Sequence, residues 1–199
     1  MFPSLPDTAP GRWRYAAVPL ALAVPLLILA FPVGVVCLLA GLGALWFHRD
    51  PERSPPPSGI VAPADGRVSV VREEGDRVRV AVFMNVTDVH VNRAPAPGTV
   101  ESVTHTPGKH LPAFTKESDR NERVDIVCAE YELSLIAGAV ARRIHPYVED
   151  GERLERGQKV GHISFGSRAD VLLSSAYDIE DIRVSKGQRV RAGETVIAA

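Results

Sequence analysis

Val184-Ser-Lys-Gly-Gln-Arg-Val-Arg-Ala-Gly-Glu-Thr-Val-Ile197 is the stretch of sequence that decides the fold. Its two glycine turns, at Gly187 and Gly193, are joined by a short charged link and flanked by β-branched residues, a pattern typical of short strands and tight turns. Residues 148–161 repeat the same order of glycine turn, charged link and glycine turn. The sequence therefore predicts two similar units of short strands within one β-rich domain.

Both units resemble the paired hairpins of lipoyl- and biotinyl-type barrel-sandwich domains. We expect a mostly-β, barrel-sandwich-like domain, with helix confined to the N-terminal segment and at most to residues 138–144. Arg77–Phe83 alternates apolar and polar residues with the period of a half-buried strand. Further strands are predicted in residues 59–71 (on either side of a turn at Asp65-Gly66), 124–131, 132–138, 160–165, 171–173 and 182–184.

The N-terminal segment lacks charged residues from Ala16 to Phe47. A single helix of about 32 residues would be roughly 48 Å long, well beyond a hydrocarbon core of ~30 Å. Phe31-Pro32 lies in its middle, so we predict a membrane anchor over residues 15–47 made of two short helices broken near Pro32. A re-entrant or partly inserted hairpin is also possible, and a signal peptide or a buried soluble helix is the alternative.

Basic residues flank this apolar segment on both sides, at Arg12 and Arg14 before it and at Arg49 and Arg53 after it. Because basic residues favour the cytoplasmic side, a hairpin with both ends in the cytoplasm is expected. Residues 1–14 would then be a cytoplasmic N-terminus, residues 48–57 a proline-rich linker, and residues 58–199 the β domain.

Composition excludes several classes of function. The formal charge of −1 gives no basic field for nucleic acid. Cys37 and Cys128 form neither a disulfide framework nor a metal-ligand spacing, and they suit a reducing compartment. The six histidines show no HxH or HxxxH pattern, so no metal site is predicted.

The candidate chemistry centres on Gly161-His-Ile-Ser-Phe-Gly-Ser-Arg-Ala-Asp170. The Ser167 hydroxyl could attack the preceding Gly166 carbonyl if a base removed its proton, although a Gly-Ser pair is also a common structural turn. His90, predicted on a strand with Asp88 on the same face, and Asp65 could supply a base and a carboxylate. Only the fold can bring these three groups together.

Six further motifs follow one another along the chain. They are Ala62-Pro-Ala-Asp-Gly66, Asp88-Val-His-Val-Asn-Arg-Ala-Pro95, Gly108-Lys109 with Pro112-Ala-Phe114, Asn121-Glu-Arg123, Ala141-Arg-Arg-Ile144 and Phe165-Gly-Ser-Arg168. In this order they resemble the motifs of the phosphatidylserine decarboxylase proenzymes, in their short, membrane-anchored, archaeal-type branch. The residues Phe47-His-Arg-Asp-Pro-Glu-Arg53 also resemble the linker of those enzymes.

The resemblance implies autocatalytic cleavage between Gly166 and Ser167 into a β subunit and a small α subunit. Ser167 would become an N-terminal pyruvoyl group, the covalent cofactor, which accepts the electrons left by departing CO2. Asp65 and His90 would assist processing, and His90 would handle protons during decarboxylation. Other branches carry a second histidine where this chain has Arg93; the possible substitute bases are His162 and His145.

The resemblance also implies the substrate, phosphatidylserine, the product, phosphatidylethanolamine, and a bilayer as the partner. Arg142, Arg143 and Arg168 are candidates for binding the phosphate and the carboxylate, since arginine suits both. The expected location is the inner cell membrane, with the catalytic domain facing the cytoplasm. The sequence leaves the oligomeric state open, a homodimer included.

Two other interpretations compete with the decarboxylase. The irregular stretch 105–123, with Leu111 and Phe114 among lysines, would suit a loop that touches a membrane or covers a site, and a plain solvated loop is the equal alternative. A membrane-tethered β-barrel binding module without catalysis is the first alternative, and it would not be expected to break at Gly166-Ser167. A metal-dependent hydrolase is the second, and it would need metal-ligand spacings that are not found here.

Overall fold

A computed structural model describes residues 9, 13–109, 111, 120–138, 144–163 and 166–199. The chain divides into two compact units, residues 1–52 and 53–199. The first contains helices α1 (Trp13–Leu29) and α2 (Phe31–Phe47). The second contains thirteen strands in its described part and a short 3-10 helix, Ile179–Asp181.

The two helices of the first unit form an antiparallel hairpin. They meet at Ala30, two residues before Pro32, which lies in the first turn of α2, where a proline costs no intrahelical hydrogen bond. A β-carbon added at Gly34 would lie 2.3 Å from the backbone nitrogen of Leu27, and one added at Gly41 would lie 2.5 Å from Leu20. These two glycines therefore allow close approach of the helices, as small residues do in membrane helix pairs.

The outer faces of this hairpin are apolar and exposed. Val36 and Leu39 of α2 are 65% and 63% exposed, and Val24 and Ile28 of α1 are similarly uncovered. Each helix has 17 residues, a length of about 25 Å. Neither of these described helices meets the length and hydropathy needed to span a membrane.

The β unit is built around a curled sheet of eight strands, which confirms the mostly-β prediction. The strands lie in the order β12-β2-β3-β11-β7-β6-β5-β9, and β4-β10-β8 and β1-β13 form two smaller sheets. The strands are β1 Ile60–Val61, β2 Gly66–Glu74, β3 Arg77–Met84, β4 Val91–Arg93, β5 Gly98–Thr106, β6 Arg123–Cys128, β7 Tyr131–Ile136, β8 Ile144–Pro146, β9 Arg153–Leu154, β10 Lys159–Ile163, β11 Ser167–Leu173, β12 Arg189–Val190 and β13 Val196–Ala198.

One face of the eight-stranded sheet forms the hydrophobic core. Val82, Ala169 and Leu135 lie side by side on β3, β11 and β7 and are fully buried. The alternation seen in the sequence of β3 therefore corresponds to an inner apolar face and an outer polar face.

The two glycine-turn units of the sequence occupy equivalent positions. The Gly157 amide donates to the Ala94 carbonyl and the Gly193 amide to the Ala62 carbonyl, each at 2.9 Å. The strand after each turn, β10 or β13, pairs antiparallel with the short strand before the accepting alanine, β4 or β1. The similarity read from the sequence is thus also a similarity of hydrogen bonding.

Several local predictions were wrong. Asp65-Gly66 is no hairpin turn, because β1 pairs with β13 while β2 pairs with β3. Residues 182–184 form no strand apart from an isolated bridge between Ile182 and Ala198. The sequence analysis also missed β5. The possible helix at 138–144 falls largely on residues outside the described part, although Ile144 begins β8.

The end of the predicted linker is fastened to the β unit. The Arg156 guanidinium donates to the carbonyls of Pro56 and Pro57. The Arg53 guanidinium donates to both carboxylate oxygens of Asp65, at 3.1 and 2.9 Å. Residues 53–57 therefore belong to the domain and do not act as a free tether.

The outer face of the sheet carries a network of ion pairs. Arg79 binds both carboxylate oxygens of Glu74 at 2.8 Å and contacts Asp170 at 3.3 Å. The hydrogen bonds from Arg79 are the largest cause of a Glu74 pKa lowered from 4.5 to about 2.

Glu74→Gln should make the free energy of unfolding less dependent on pH below about pH 4.5. Because the pKa of folded Glu74 lies below its unfolded value, the ion pair stabilises the fold above about pH 4.5 and is lost as the pH falls toward 2. Urea unfolding of the uncleaved Ser167→Ala chain, between pH 7 and about pH 3, measures this dependence. Glu73→Gln, at the neighbouring exposed residue of the same strand, is the control, and equal pH dependence in the two variants would contradict the assignment.

Candidate active site

Ser167 is the first residue of β11, and its side chain faces the core. It lies directly opposite Met84 of β3 and is 0% exposed. Its hydroxyl donates a weak hydrogen bond to the Met84 sulfur at 3.9 Å. The nucleophile predicted from the sequence is therefore held in a fully buried position against a thioether.

Gly166 precedes Ser167 in a left-handed backbone conformation, with φ of +62°. No heavy atom of a described residue lies within 4 Å of the place where a β-carbon would sit. The glycine is thus required by its backbone angle and not by crowding. Ser164 and Phe165, which precede it, lie outside the described residues.

His90 lies beside the strand that leads to the cleavage bond. Its carbonyl accepts a hydrogen bond from the amide of Ile163 at 3.3 Å. Its ring Nδ1 lies 2.9 Å from the Asp88 carbonyl; since a carbonyl only accepts, Nδ1 carries the proton and the Nε2 of the neutral ring carries the lone pair.

His90 and Asp88 do not share a strand face as predicted. Residues 85–90 form a turn and a short extended link between β3 and β4. The Asp88 carboxylate accepts from the Asn85 amide at 2.9 Å and pairs with Arg189 at 3.0 Å. It therefore closes this turn and contacts His90 through its backbone carbonyl.

The two substitute bases, His145 and His162, form a cluster. They are cross-strand partners on β8 and β10, and their rings stack with centroids 4.6 Å apart and an interplanar angle of 17°. The Tyr147 hydroxyl lies 2.6 Å from Nδ1 of His162. Tyr147 thus occupies one of the two nitrogens through which His162 could act.

Asp65 lies at the same end of the sheet as the cleavage bond. Arg67 of β2 and Arg168 of β11 both stand opposite Phe83 of β3. Asp65 and Gly166 each lie two residues before these arginines, so two strand spacings, ~10 Å, separate them. In the described part of the chain, its carboxylate bonds to Arg53 and to the Ala192 amide. No bond joins Asp65 to His90 or Ser167 there.

Of the three arginines predicted to bind substrate, the structure describes Arg168 alone. Arg168 follows Ser167 on β11, so it faces the opposite side of the sheet, where it donates to both oxygens of the buried Asp170 at 2.7 and 2.9 Å. Arg142 and Arg143 lie outside the described residues. Arg93, in the place of a second histidine, is buried and donates to the Gly157 carbonyl at 2.9 Å.

Sequence reasoning missed three residues of this site: Met84, Asn92 and Tyr147. Met84 is the cross-strand partner of Ser167, and Asn92 donates toward the same sulfur at 3.7 Å. Asn92 lies two residues after His90 in the motif formed by residues 88–95. A polar residue on a predicted strand beside a candidate base is the signal that could have identified it. Nothing in the sequence marked Met84 or Tyr147.

Comparison with known proteins decides the family. The family profile described as phosphatidylserine decarboxylase matches residues 42–198. The chain belongs to the phosphatidylserine decarboxylase family.

Named relatives extend over nearly the whole chain. A protein of Halobacterium salinarum, provisionally named an archaetidylserine decarboxylase proenzyme, is 60% identical over 95% of this chain and 97% of its own length. A phosphatidylserine decarboxylase proenzyme of Streptomyces griseus is 45% identical over 94% of this chain and 80% of its own. A protein of Methanopyrus kandleri with the same provisional name as the Halobacterium one is 38% identical over 95% and 97%.

Membership of the phosphatidylserine decarboxylase family makes the chain a decarboxylase proenzyme that depends on a pyruvoyl group made from one of its own serines. The residues at Gly166-Ser167 fit such a group. Ser167 offers a buried hydroxyl next to a carbonyl whose glycine leaves its surroundings open. The apolar Met84 and the polar Asn92 line the same place.

Gly166→Ala should slow self-cleavage by about tenfold, because a β-carbon resists the left-handed conformation by roughly 1–2 kcal/mol. The fraction of cleaved chain, followed by mass after synthesis, measures the rate. Gly187→Ala is a matched control, since Gly187 also has a positive φ, +89°, and open surroundings. Equal cleavage rates in the two variants would show that the Gly166 conformation has no part in the reaction.

Proposed function

We propose that this chain cleaves itself between Gly166 and Ser167 and then converts phosphatidylserine to phosphatidylethanolamine. The observation that carries the proposal is the position of Ser167, a fully buried hydroxyl beside the carbonyl of a left-handed glycine. The family profile covers this position. A membrane-tethered binding module has no need of either feature.

Self-cleavage requires a base and one water molecule. The Ser167 Oγ attacks the Gly166 carbonyl carbon, the C–N bond to Ser167 breaks, and the freed amine takes a proton. Loss of the Ser167 Cα proton then breaks the Cβ–O bond, so that Gly166 leaves as a carboxylate and dehydroalanine remains. Tautomerisation and addition of water release ammonia and leave the ketoamide at the start of residues 167–199.

We assign the base to His90. Its Nδ1 lies 2.9 Å from the Asp88 carbonyl, so the lone pair of a neutral ring lies on Nε2. Its backbone carbonyl accepts a hydrogen bond from Ile163, three residues before Gly166, so His90 lies beside the strand that leads to the cleavage bond. In this proposal His90 takes the Ser167 proton and later returns one to the product, and His162, whose Nδ1 lies 2.6 Å from the Tyr147 hydroxyl, is the alternative base. A direct catalytic role for Asp65 stays a prediction.

When formed, the pyruvoyl group supplies a conjugated carbonyl that takes up the amine of the substrate and the electrons left by CO2. The chain's own residues exclude water from this place, as the burial of Ser167, Met84 and Asn92 indicates. Recognition of phosphate and carboxylate by Arg142, Arg143 and Arg168 stays a prediction, and so does a homodimer.

The relatives differ in the lipid that their names contain, phosphatidylserine or archaetidylserine, while the serine headgroup is common to both. We therefore propose that the headgroup decides the chemistry and that lipids of either core are accepted. The chain's greater identity to the Halobacterium protein supports testing an archaeal-type lipid beside phosphatidylserine.

Two structural proposals complete this account. The equivalent hydrogen bonds of Gly157 and Gly193 support a barrel-sandwich arrangement of the β unit. The exposed apolar faces of α1 and α2 and their glycine contacts support a hairpin inserted into one side of the cell membrane, with the catalytic domain facing the cytoplasm. A hairpin of this length with no charged residue from Ala16 to Phe47 is suited to partial insertion.

The catalytic proposal predicts that wild-type chain releases labelled CO2 from phosphatidylserine carrying the label in the serine carboxyl, and that Ser167→Ala releases none. His90→Gln should lower the rate of self-cleavage by at least about a hundredfold, the usual contribution of a general base, whereas His162→Gln should cleave at the wild-type rate. Release of CO2 by folded Ser167→Ala would contradict the proposal. If His162→Gln abolished cleavage and His90→Gln did not, the base would be assigned to the cluster of His145 and His162 instead.

The membrane proposal predicts that the full chain floats with phospholipid vesicles in a density gradient. Val36→Glu with Leu39→Glu should abolish flotation, because each buried carboxylate costs several kcal/mol in hydrocarbon. Glu101→Gln, on an exposed part of the β unit, serves as the control. If the double glutamate variant floated with vesicles to the same extent as the wild type, insertion through α2 would be ruled out.

A further inference from the structure

Asn92 is a fully buried polar residue whose oxygen has no hydrogen-bond partner among the residues that the structure describes. It lies in the middle of β4 and is 0% exposed. Its Nδ2 lies 3.7 Å from the Met84 sulfur. A thioether accepts and cannot donate, so the NH2 group of the amide makes the contact with the sulfur and the oxygen is left to bind another donor. No described residue donates to Oδ1.

A buried acceptor without a donor costs stability, and each such group in a native protein calls for an explanation. Packing does not explain it, since leucine has nearly the same shape and would leave no polar atom unsatisfied. The amide is therefore better explained by a donor that arrives with a ligand.

The position of Asn92 points to the reactive centre. Met84 is the cross-strand partner of Ser167, and the Ser167 hydroxyl contacts the same sulfur at 3.9 Å. The side chains of Asn92 and Ser167 thus meet at one atom, although they come from different sheets. Whatever reaches the place of Ser167 after cleavage also comes close to the amide.

We propose that Oδ1 of Asn92 accepts a hydrogen bond from the amino group of the serine headgroup as its nitrogen approaches the former position of Ser167. This inference rests on the proposed function and names one of its binding groups. The substrate nitrogen carries N–H donors and must enter a dry site, where an acceptor is needed.

The choice of an amide over a carboxylate has a chemical reason. A carboxylate beside the amine would favour the ammonium form, which has no lone pair with which to attack a carbonyl. The neutral oxygen of Asn92 accepts the N–H and holds the amine without favouring its protonation to the same degree. Self-cleavage, which involves no substrate amine, should not need Asn92.

The test uses full-length Asn92→Leu, with Asn85→Ala in the preceding exposed turn as the control. Intact mass and labelling with phenylhydrazine first measure how much chain has cleaved and carries a reactive carbonyl. Glycerophosphoserine with cyanoborohydride then measures covalent capture of the amine on the fragment 167–199. We expect normal cleavage and labelling, and capture about tenfold slower with a correspondingly raised KM, the effect of one lost hydrogen bond.

Asn92→Asp provides a second, independent measurement, since it keeps the shape and the acceptor. Its capture rate should fall at neutral pH and recover at higher pH, because the added carboxylate retains the ammonium form. Capture of the amine by Asn92→Leu at the wild-type rate would overturn the inference. A wild-type pH profile of capture in Asn92→Asp would also overturn it, and so would loss of self-cleavage in a folded Asn92→Leu chain. A wild-type chain that does not cleave would instead contradict the proposed function.

Discussion

The register of β11 between β3 and β7 is the constraint on which the site depends. It sets Ser167 opposite Met84, and Arg168 opposite Phe83 and Ile136. Since side chains alternate along a strand, this register turns the serine toward the core and the arginine toward the outer face. A shift by one residue would expose the hydroxyl on the charged face and bury a guanidinium among Val82 and Leu135.

The outer face stabilises this register. Asp170, two residues along β11 from Arg168, is buried and bonds to both Arg168 and Arg79. A slipped strand would leave that carboxylate without its cations, which is costly for a buried charge. The ion-pair network and the apolar core thus favour the same alignment, and the position of the nucleophile follows from both.

The sequence predicted the parts of this protein that depend on local pattern. The alternation of Arg77–Phe83, the two glycine-turn units and the Gly166-Ser167 pair are all visible in short stretches. Pairing between distant residues was not visible. Met84 lies 83 residues from Ser167, and the link from Asp65 to Arg53 and Ala192 depends on the closing of three separate segments. His90 was expected on a strand, but the turn closed by Asp88 depends on Arg189 far along the chain.

The central claim is that Ser167 is consumed in breaking its own chain. The most direct measurement is the mass and N-terminal chemistry of the fragment that begins at residue 167, from protein purified without denaturation. The account predicts a fragment of residues 167–199 that resists Edman degradation and has the mass expected for a ketoamide in place of serine, and no such fragment from Ser167→Ala. A wild-type chain that stays whole, or a fragment that begins with an ordinary serine, would contradict it.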